Sequence, residues 1–506
     1  MTTFKKIGVI GSGAMGRGIA QLFASAGVEV LLHDSRSEAI EQALIQNREL
    51  LEREAAKGKI SAEVLAGTLE RMRAAHTLQE LAGCDLLIEA IVENLEAKQK
   101  LFRELEQLVS RDAVLASNTS SLSITLIASA CEQPQRVAGF HFFNPVTLMK
   151  IVEVVRGERT DPQVVQRLSA LAQHAGHFAA VTPDSPGFLV NHAGRAYGPE
   201  ALRILAEGIA TPAQIDRILK DCLGFRMGPF ELFDLVGLDI AHAVMESIHD
   251  QFYQDPRYTP SSLVPARLAA GLLGRKSGQG FYRYREGRAV KEALVELPHV
   301  DINQPFWLDC RDAAMRDKIC AVLASAGAVL EQGEQPGSDT ICLVTPLGED
   351  ASSAIARRQL PVARSLALET FAGFDLRRVL MRHPGLDANV LAQTRQALGA
   401  DGVPVEVIND SPGFIAQRVL ASIVNLGCEI AQRRIVDPAT LDRAVQLALG
   451  YPHGPLGFGD QYGSMKIKQI LHALHDLYQE PRYRLSPWLR RRVQLGLPLT
   501  TPEESV

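Results

Sequence analysis

The sequence predicts an α/β protein in which a doubly wound, mostly parallel sheet is followed by an all-α domain. Both are repeated, and the second sheet domain is degenerate. Three observations carry this. The stretch GSGAMGRGIAQLFASAG at 11–27 spaces glycines as GxGxxG after a short apolar run. RDAAMRDKICAVLASAG at 311–327 keeps Ala-Met, an Ile and the closing Ala-Ser-Ala-Gly, but none of the loop glycines. DSPGF at 184–188 recurs at 410–414. The same spacing relates Asp216 to Asp442, Gly224 to Gly450, Gly228-Pro229 to Gly454-Pro455, Asp234 to Asp460 and Gly237 to Gly463.

The first element is an apolar strand at 5–10, followed by a helix over 14–26. Between them, Gly11, Gly13, Ala14, Met15 and Gly16 form a dinucleotide-binding turn of the Rossmann type. Gly11 permits the tight turn, Gly13 lets the backbone approach a pyrophosphate, and Gly16 lets helix and strand pack closely. Residues 28–33 read as the second strand, with Asp34 at its end. A carboxylate there binds both adenosine ribose hydroxyls and selects NAD over NADP. Arg36 is near enough to tolerate a 2′-phosphate, and Asp34 can also be read as a cap for the next helix.

DLLIEAI at 85–91 is a further buried strand, and Asn94 reads as a helix cap before Leu95. Glu93 and Lys98 then fall at the carboxyl edge of the sheet, where open α/β folds bind ligands. A solvated turn and helix explain these two residues equally well. AVLASNTSSL at 113–122 runs a strand into a polar cluster containing Ser120. VAGFHFFNP at 137–145 is an apolar strand ending in His141, with Asn144 just beyond. In MKIVEVV at 149–155, Glu153 interrupts an apolar run, and a carboxylate there is unfavourable without a partner. His141 on the preceding strand is the nearest candidate. A carboxylate fixes the imidazole tautomer and stabilises the cation, as a general base requires. With 13 histidines in the chain, a structural role for any one of them is the competing reading.

GVIGSGAMGRGIA, IEAIVEN, SNTSSL, HFFNP, DSPGFLVN and GRKSGQGFY occur in that order. Over residues 1–284 the chain resembles the L-3-hydroxyacyl-CoA dehydrogenases, with HFFNP and SNTSSL the discriminating motifs. The resemblance implies oxidation of a 3-hydroxyacyl-CoA to the 3-ketoacyl-CoA with NAD as cofactor. It makes His141 the base and Glu153 its partner. Ser120 and Asn191 hold the substrate's hydroxyl and thioester region, Asn144 touches the nicotinamide end, and Glu93 and Lys98 bind the cofactor. Lys57 stands where the family has a lysine for the CoA phosphates, in a poorly matching helix. The whole-chain layout resembles the bacterial members of phenylacetate degradation, which handle a 3-hydroxyadipyl-CoA. That narrower match rests on length, duplication and the tail SPWLRRR.

Beyond the sheet domain, Thr211-Pro212 starts a helix and Gly228-Pro229 a turn into further helix. The layout is a sheet domain at 1–184, helices at 185–285, a shortened sheet domain at 286–404 and helices at 405–506, with residues 286–305 as linker. The shorter second half is expected to lack the region matching SNTSSL and HFFNP. Arg311, Ala313 and Arg316 replace the loop glycines, and Gln417 replaces Asn191. The copy is therefore expected to be disarmed, its helices pairing with the first set as an internal pseudo-dimer, with a homodimer also open. A chain of 506 residues with net charge −5 argues against nucleic acid or an anionic membrane as partner. The seven cysteines form no CxxC pair, which implies no metal framework. No signal peptide or membrane span is apparent, so a cytoplasmic enzyme is expected. A CoA-independent hydroxyacid or L-gulonate dehydrogenase and a non-catalytic NAD-binding protein are the alternatives.

Overall fold

The computed structural model describes residues 4–290 and 299–503; residues 291–298 of the predicted linker lie outside the described residues. The chain forms two compact units, Met1–His192 with Arg434–Leu449, and Ala193–Arg433 with Gly450–Val506.

The first unit is built on an eight-stranded sheet of β1 (Lys6–Ile10), β2 (Glu29–His33), β3 (Met72–Ala75), β4 (Leu86–Glu89), β5 (Val114–Ser117), β6 (Val137–Phe142), β7 (Ile151–Arg156) and β8 (Phe178–Pro183). Their order is β3-β2-β1-β4-β5-β6-β7-β8, and every pair is parallel except β6–β7. Strands such as LLIE and VLAS are buried along their whole length because helices cover both faces. Ile19, Phe23, Phe140 and Phe142 pack on one face. Phe102, Leu105, Ile124 and Ile127 pack on the other. A helix from the second half, Pro438–Leu449, also packs on β7 and β8, where Arg443 stacks 5.3 Å from the Phe178 ring centroid.

In the second unit, β9 (Tyr284–Arg285) and β10 (Arg288–Ala289) form a small ribbon. Five strands form the second sheet: β11 (Phe306–Asp309), β12 (Ile341–Val344), β13 (Ser365–Leu368), β14 (Arg378–Arg382) and β15 (Val405–Asn409). The β13–β14 pair alone is antiparallel, as β6–β7 is in the first sheet. Asp184, just after β8, accepts from Ser123 Oγ, Ile124 N and Thr125 N. Asp410, after β15, accepts in the same way from Ala351 N, Ser352 N and Ser352 Oγ. These matching caps make β12 the counterpart of β5 and β13 that of β6. The strands lost from the copy therefore correspond to β2, β3 and β4. The expectation that the SNTSSL and HFFNP region is missing is corrected: its strands persist, and their residues have changed.

Helix Pro212–Leu223 of the first half lies against this second sheet. Gln214 Nε2 donates to Val407 O at 3.1 Å, and Arg217 pairs with Glu406 at 2.7 Å. Asp221 pairs with Arg377 at 2.7 Å. The two equivalent helices are thus exchanged, each covering the sheet of the other half within its own unit. The repeated PRY turns meet where Arg482 Nη2 donates to Pro256 O at 3.1 Å. Arg418 is fully buried between the helical segments. Its Nε lies 2.5 Å from Glu200, and its Nη atoms lie 2.7 and 2.8 Å from Glu207. Burial alone would raise the Glu200 pKa, but Arg418, Arg482 and the Tyr483 hydroxyl outweigh it and hold the carboxyl below its ordinary value. The stabilisation is therefore complete at neutral pH and is lost as acidification protonates Glu200.

Replacing Arg418 strands a buried carboxylate. Arg418→Met is expected to destabilise the fold at pH 7 by about 3–5 kcal/mol. The readout is the urea midpoint, with a deficit that shrinks on acidification; an unchanged midpoint at pH 7 contradicts the assignment.

Candidate functional site

The turn after β1 is shaped for close backbone approach. Gly11 has φ +102°, and a Cβ there would lie 2.4 Å from Ala90 O. A Cβ on Gly16 would lie 1.7 Å from Gly11 O, so helix Ala14–Ser25 packs on the loop only with glycine at that position. Gly13 differs: a Cβ there meets nothing within 4 Å. Gly13 is also the N-cap of that helix and supplies no side-chain cap. Open space beside uncapped N–H groups at a helix N-terminus is what a pyrophosphate requires. Ala14 is exposed and Met15 half-buried along the same turn.

Asp34 Oδ2 accepts from Ser12 N at 2.9 Å and Ser12 Oγ at 2.8 Å, and Oδ1 accepts from Arg36 N at 3.1 Å. Partial burial raises its pKa, but these hydrogen bonds and the Arg36 charge outweigh it, so the carboxyl is held below its ordinary value. The following helix, Ser37–Ala56, has Arg36 and not Asp34 as its N-cap. Asp34 thus joins the second strand to the glycine turn, and the residues present fit a dinucleotide.

Glu93 gathers the polar loop after β5. It accepts from Thr119 Oγ1 at 2.7 Å, Ser120 N at 2.9 Å and Ser121 N at 3.1 Å, and also from the Ser120 hydroxyl at 3.2 Å. Lys98 is buried and lies 2.6 Å from Glu89 and 3.3 Å from Glu93. Desolvation raises the Glu93 pKa, but Lys98 and the loop donors bring it below its ordinary value. Asn94 caps its helix as expected, accepting from Ala97 N. Glu89 was missed in the sequence, although it breaks the apolar strand DLLIEAI just as Glu153 breaks MKIVEVV. It receives Lys98, Ser117 Oγ at 2.6 Å and Ile91 N at 2.7 Å.

His141 and Glu153 are directly paired across β6 and β7. Nδ1 lies 2.6 Å from Glu153 Oε2, and both side chains are buried. Glu153 Oε1 accepts from Leu189 N at 2.9 Å and Val190 N at 2.8 Å. These two N–H groups follow Phe188, whose φ of +49° is a left-handed conformation rare for a bulky residue. The same turn carries Asn191, whose Nδ2 donates to Ser120 O at 3.2 Å. His141 Nε2 has no partner among the described residues, and the Phe143 and Phe188 rings lie 4.6 and 5.9 Å from the imidazole. Asn118 Oδ1 accepts from Phe142 N and ties the polar loop to the end of the histidine strand. Asn144 is exposed just beyond. Lys57 is also exposed, at the end of helix Ser37–Ala56, and is not drawn into this network.

The second half arranges the same positions differently. Arg156 pairs with Pro183, and Arg382 with Asn409, just ahead of the repeated DSPGF motifs. Counting back along β14 puts Val379 in the place of Glu153. Glu369, whose N–H donates to Val379 O, then stands in the place of His141. Burial pushes its carboxyl up to about 7, with a hydrogen bond from Gln417 at 2.9 Å opposing the rise. Helix Ala313–Ser325 is capped by its own Asp312, which accepts from Met315 N where the first copy is open. A carboxylate at that helix start repels a pyrophosphate, and among the described residues the copy has no strand equivalent to that carrying Asp34.

A glycine cradle at the carboxyl edge of a doubly wound sheet, with a buried histidine–carboxylate pair on the second and third strands beyond β4, defines a nicotinamide-dependent oxidoreductase. The 3-hydroxyacyl-CoA dehydrogenase NAD-binding domain matches residues 6–185, and the C-terminal domain matches 187–284 and again 413–504, so the chain belongs to the 3-hydroxyacyl-CoA dehydrogenase family. It is 36% identical over 499 residues to the 3-hydroxyadipyl-CoA dehydrogenase of Escherichia coli K12, covering 98% of each chain. It is 39% identical over 286 residues to the 3-hydroxybutyryl-CoA dehydrogenase of Bradyrhizobium diazoefficiens, covering 56% of this chain and 97% of the relative. A crystal structure of 3-hydroxybutyryl-CoA dehydrogenase from Escherichia coli K12 matches with a TM-score of 0.85 at 34% identity, covering 97% of this chain and 99% of that one.

Full-length protein titrated with NAD is expected to saturate at one equivalent per chain. Asp34→Ala should weaken NAD at least about tenfold, the worth of a lost charge-assisted hydrogen bond, and narrow the gap to NADP. Two NAD equivalents, or a wild-type preference for NADP, contradict this.

Proposed function

We propose that the chain oxidises (S)-3-hydroxyacyl-CoA thioesters to 3-ketoacyl-CoA thioesters at one site per chain, in the cytoplasm. The observation that carries this is the buried His141–Glu153 pair with Nε2 left free. Glu153 accepts the Nδ1 proton, so Nε2 presents a lone pair and takes the proton of the substrate's 3-hydroxyl. The imidazolium that forms is stabilised by the same carboxylate. Bound NAD supplies the hydride acceptor for C3. The residues supporting it are the glycine turn Gly11, Gly13, Ala14, Met15 and Gly16, together with Asp34 and Asn144. Glu93, anchored by Lys98, fixes the polar loop at the cofactor edge. Ser120 and Asn191, joined by a hydrogen bond, orient the hydroxyl and thioester region. The proton and hydride transfers need near-contact geometry, so positioning supplies most of the rate. Lys57 is proposed as a contact to the CoA phosphates.

For the acyl group we propose a dicarboxylic 3-hydroxyacyl-CoA of the adipyl type, with a place in phenylacetate catabolism. The support is the likeness to a relative of that name over almost the whole of both chains, duplication included. The exchanged helices and the Arg418 network support the reading that the second half serves as an internal partner for the first.

With NAD and a panel of short-chain and dicarboxylic 3-hydroxyacyl-CoA thioesters and their free acids, turnover is expected for thioesters and not for free acids, with the dicarboxylic thioester preferred. His141→Ala should lower kcat by at least about 100-fold with NAD affinity little changed. Comparable turnover of free acids, or a near-normal kcat in the variant, contradicts the proposal.

A further inference from the structure

The second helical copy carries a cleft of about 430 Å³ that takes no part in the site around His141. Three segments wall it: helix Ser464–Tyr478, the turn Pro481–Tyr483 with the residues after it, and helix Pro487–Leu495. Lys468, His472 and His475 are spaced to share one face of the first helix. Arg484 and Arg490 enter from the other two segments. None of the lining residues is acidic. The floor is apolar, formed by Leu471 and the ring of the buried Tyr483, whose hydroxyl is turned to Glu200.

Neighbouring arginines show how unusual this is. Arg482 pairs with Glu480 at 3.5 Å, and Arg492 with Glu503 at 3.4 Å. Lys468, Arg484 and Arg490 have no ion-pair partner among the described residues. His475 Nδ1 lies 4.0 Å from the exposed Asp476. Three permanent cations left unpaired around one concavity raise the local positive potential in a chain that is acidic overall.

The duplication supplies an internal comparison. Aligned on Gly237 and Gly463, Lys468 and His472 correspond to His242 and Glu246, which pair with each other at 3.2 Å. Aligned on the PRY turns, Arg484 and Arg490 correspond to Thr259 and Pro265. The cationic set therefore belongs to the second copy alone and is not packing shared by both.

We propose that this cleft binds a small organic phosphate, held by Lys468, Arg484 and Arg490 over the apolar floor. Its volume lies in the range of small-molecule sites, about 300–1,000 Å³, and its concave shape favours a compact ligand over an extended polyanion. The phosphate can come from a nucleotide or from a coenzyme A thioester, and both present the same chemistry to the three cations.

The test is isothermal titration of the full chain with inorganic pyrophosphate, ADP and coenzyme A in separate arms, each repeated on the double variant below so that binding at the His141 site, common to both proteins, is subtracted. One further saturable equivalent is expected in at least one arm, weakening as salt is raised. The arm that binds most tightly names the source. The double variant Lys468→Ala/Arg490→Ala changes accessible side chains. It should retain the wild-type melting temperature and dehydrogenase turnover while losing at least tenfold in that affinity. Single variants at each position serve if the double variant fails to fold. Absence of the additional equivalent in all three arms, or equal affinity in the variants, overturns the proposal. Failure here leaves the assignment of His141 untouched, because that assignment is read by turnover.

Discussion

Glu153 is the residue on which the chemistry proposed for the first unit depends. A carboxylate with no exposed surface on a strand inside the sheet is unfavourable unless it is hydrogen-bonded and paired. One oxygen takes the His141 imidazole, and the other takes two successive backbone N–H groups from the turn at Phe188. One side chain therefore fixes the histidine's ring orientation and tautomer, and also the start of the segment that bears Asn191. The left-handed Phe188 is the local strain that aims those N–H groups inward. The surrounding core, with Phe188 buried against the β5–β6 face, holds it in place.

The same device recurs at other carboxylates. Glu89 ties Lys98 to the end of β5, Glu93 gathers the polar loop, and Asp34 binds the glycine turn to the second strand. Each is an acid at the carboxyl edge of the sheet, satisfied by backbone N–H groups and hydroxyls. In the copy this demand is gone. It keeps the Asp410 cap and the antiparallel strand pair, which serve packing. At the positions of His141, Glu153 and Asn191 it holds Glu369, Val379 and Gln417, which cannot perform the proposed proton transfer. The exchange of helices Pro212–Leu223 and Pro438–Leu449 between the two sheets gives a packing reason to retain the copy, because each sheet relies on the other half for cover.

Much of this was legible in the sequence because its signals are local. Glycine spacing, an acid after the second strand, and a carboxylate in an apolar run each report a constraint within a few residues. Repeats reported the duplication for the same reason. What could not be read was long-range. Glu89 as the partner of Ser117 depends on the register of β4 with β5. The identity of the missing strands depends on matching Asp184 with Asp410, whose donors lie about sixty residues away in each half. The correspondence of His141 with Glu369 emerges only from strand pairing, since the intervening sequence has lost its motif.

The most direct test is the conservative variant Glu153→Gln in the full chain. Its amide oxygen can still accept from Leu189 and Val190, so the fold and NAD affinity should be retained. Its amide nitrogen donates to His141 Nδ1, which drives the proton to Nε2 and removes the lone pair needed to take the substrate's proton. By analogy with a serine-protease triad in which the same exchange inverts the tautomer, kcat should fall by about 10³–10⁴-fold with an unchanged melting temperature. A variant that turns over at close to the wild-type rate would contradict the account.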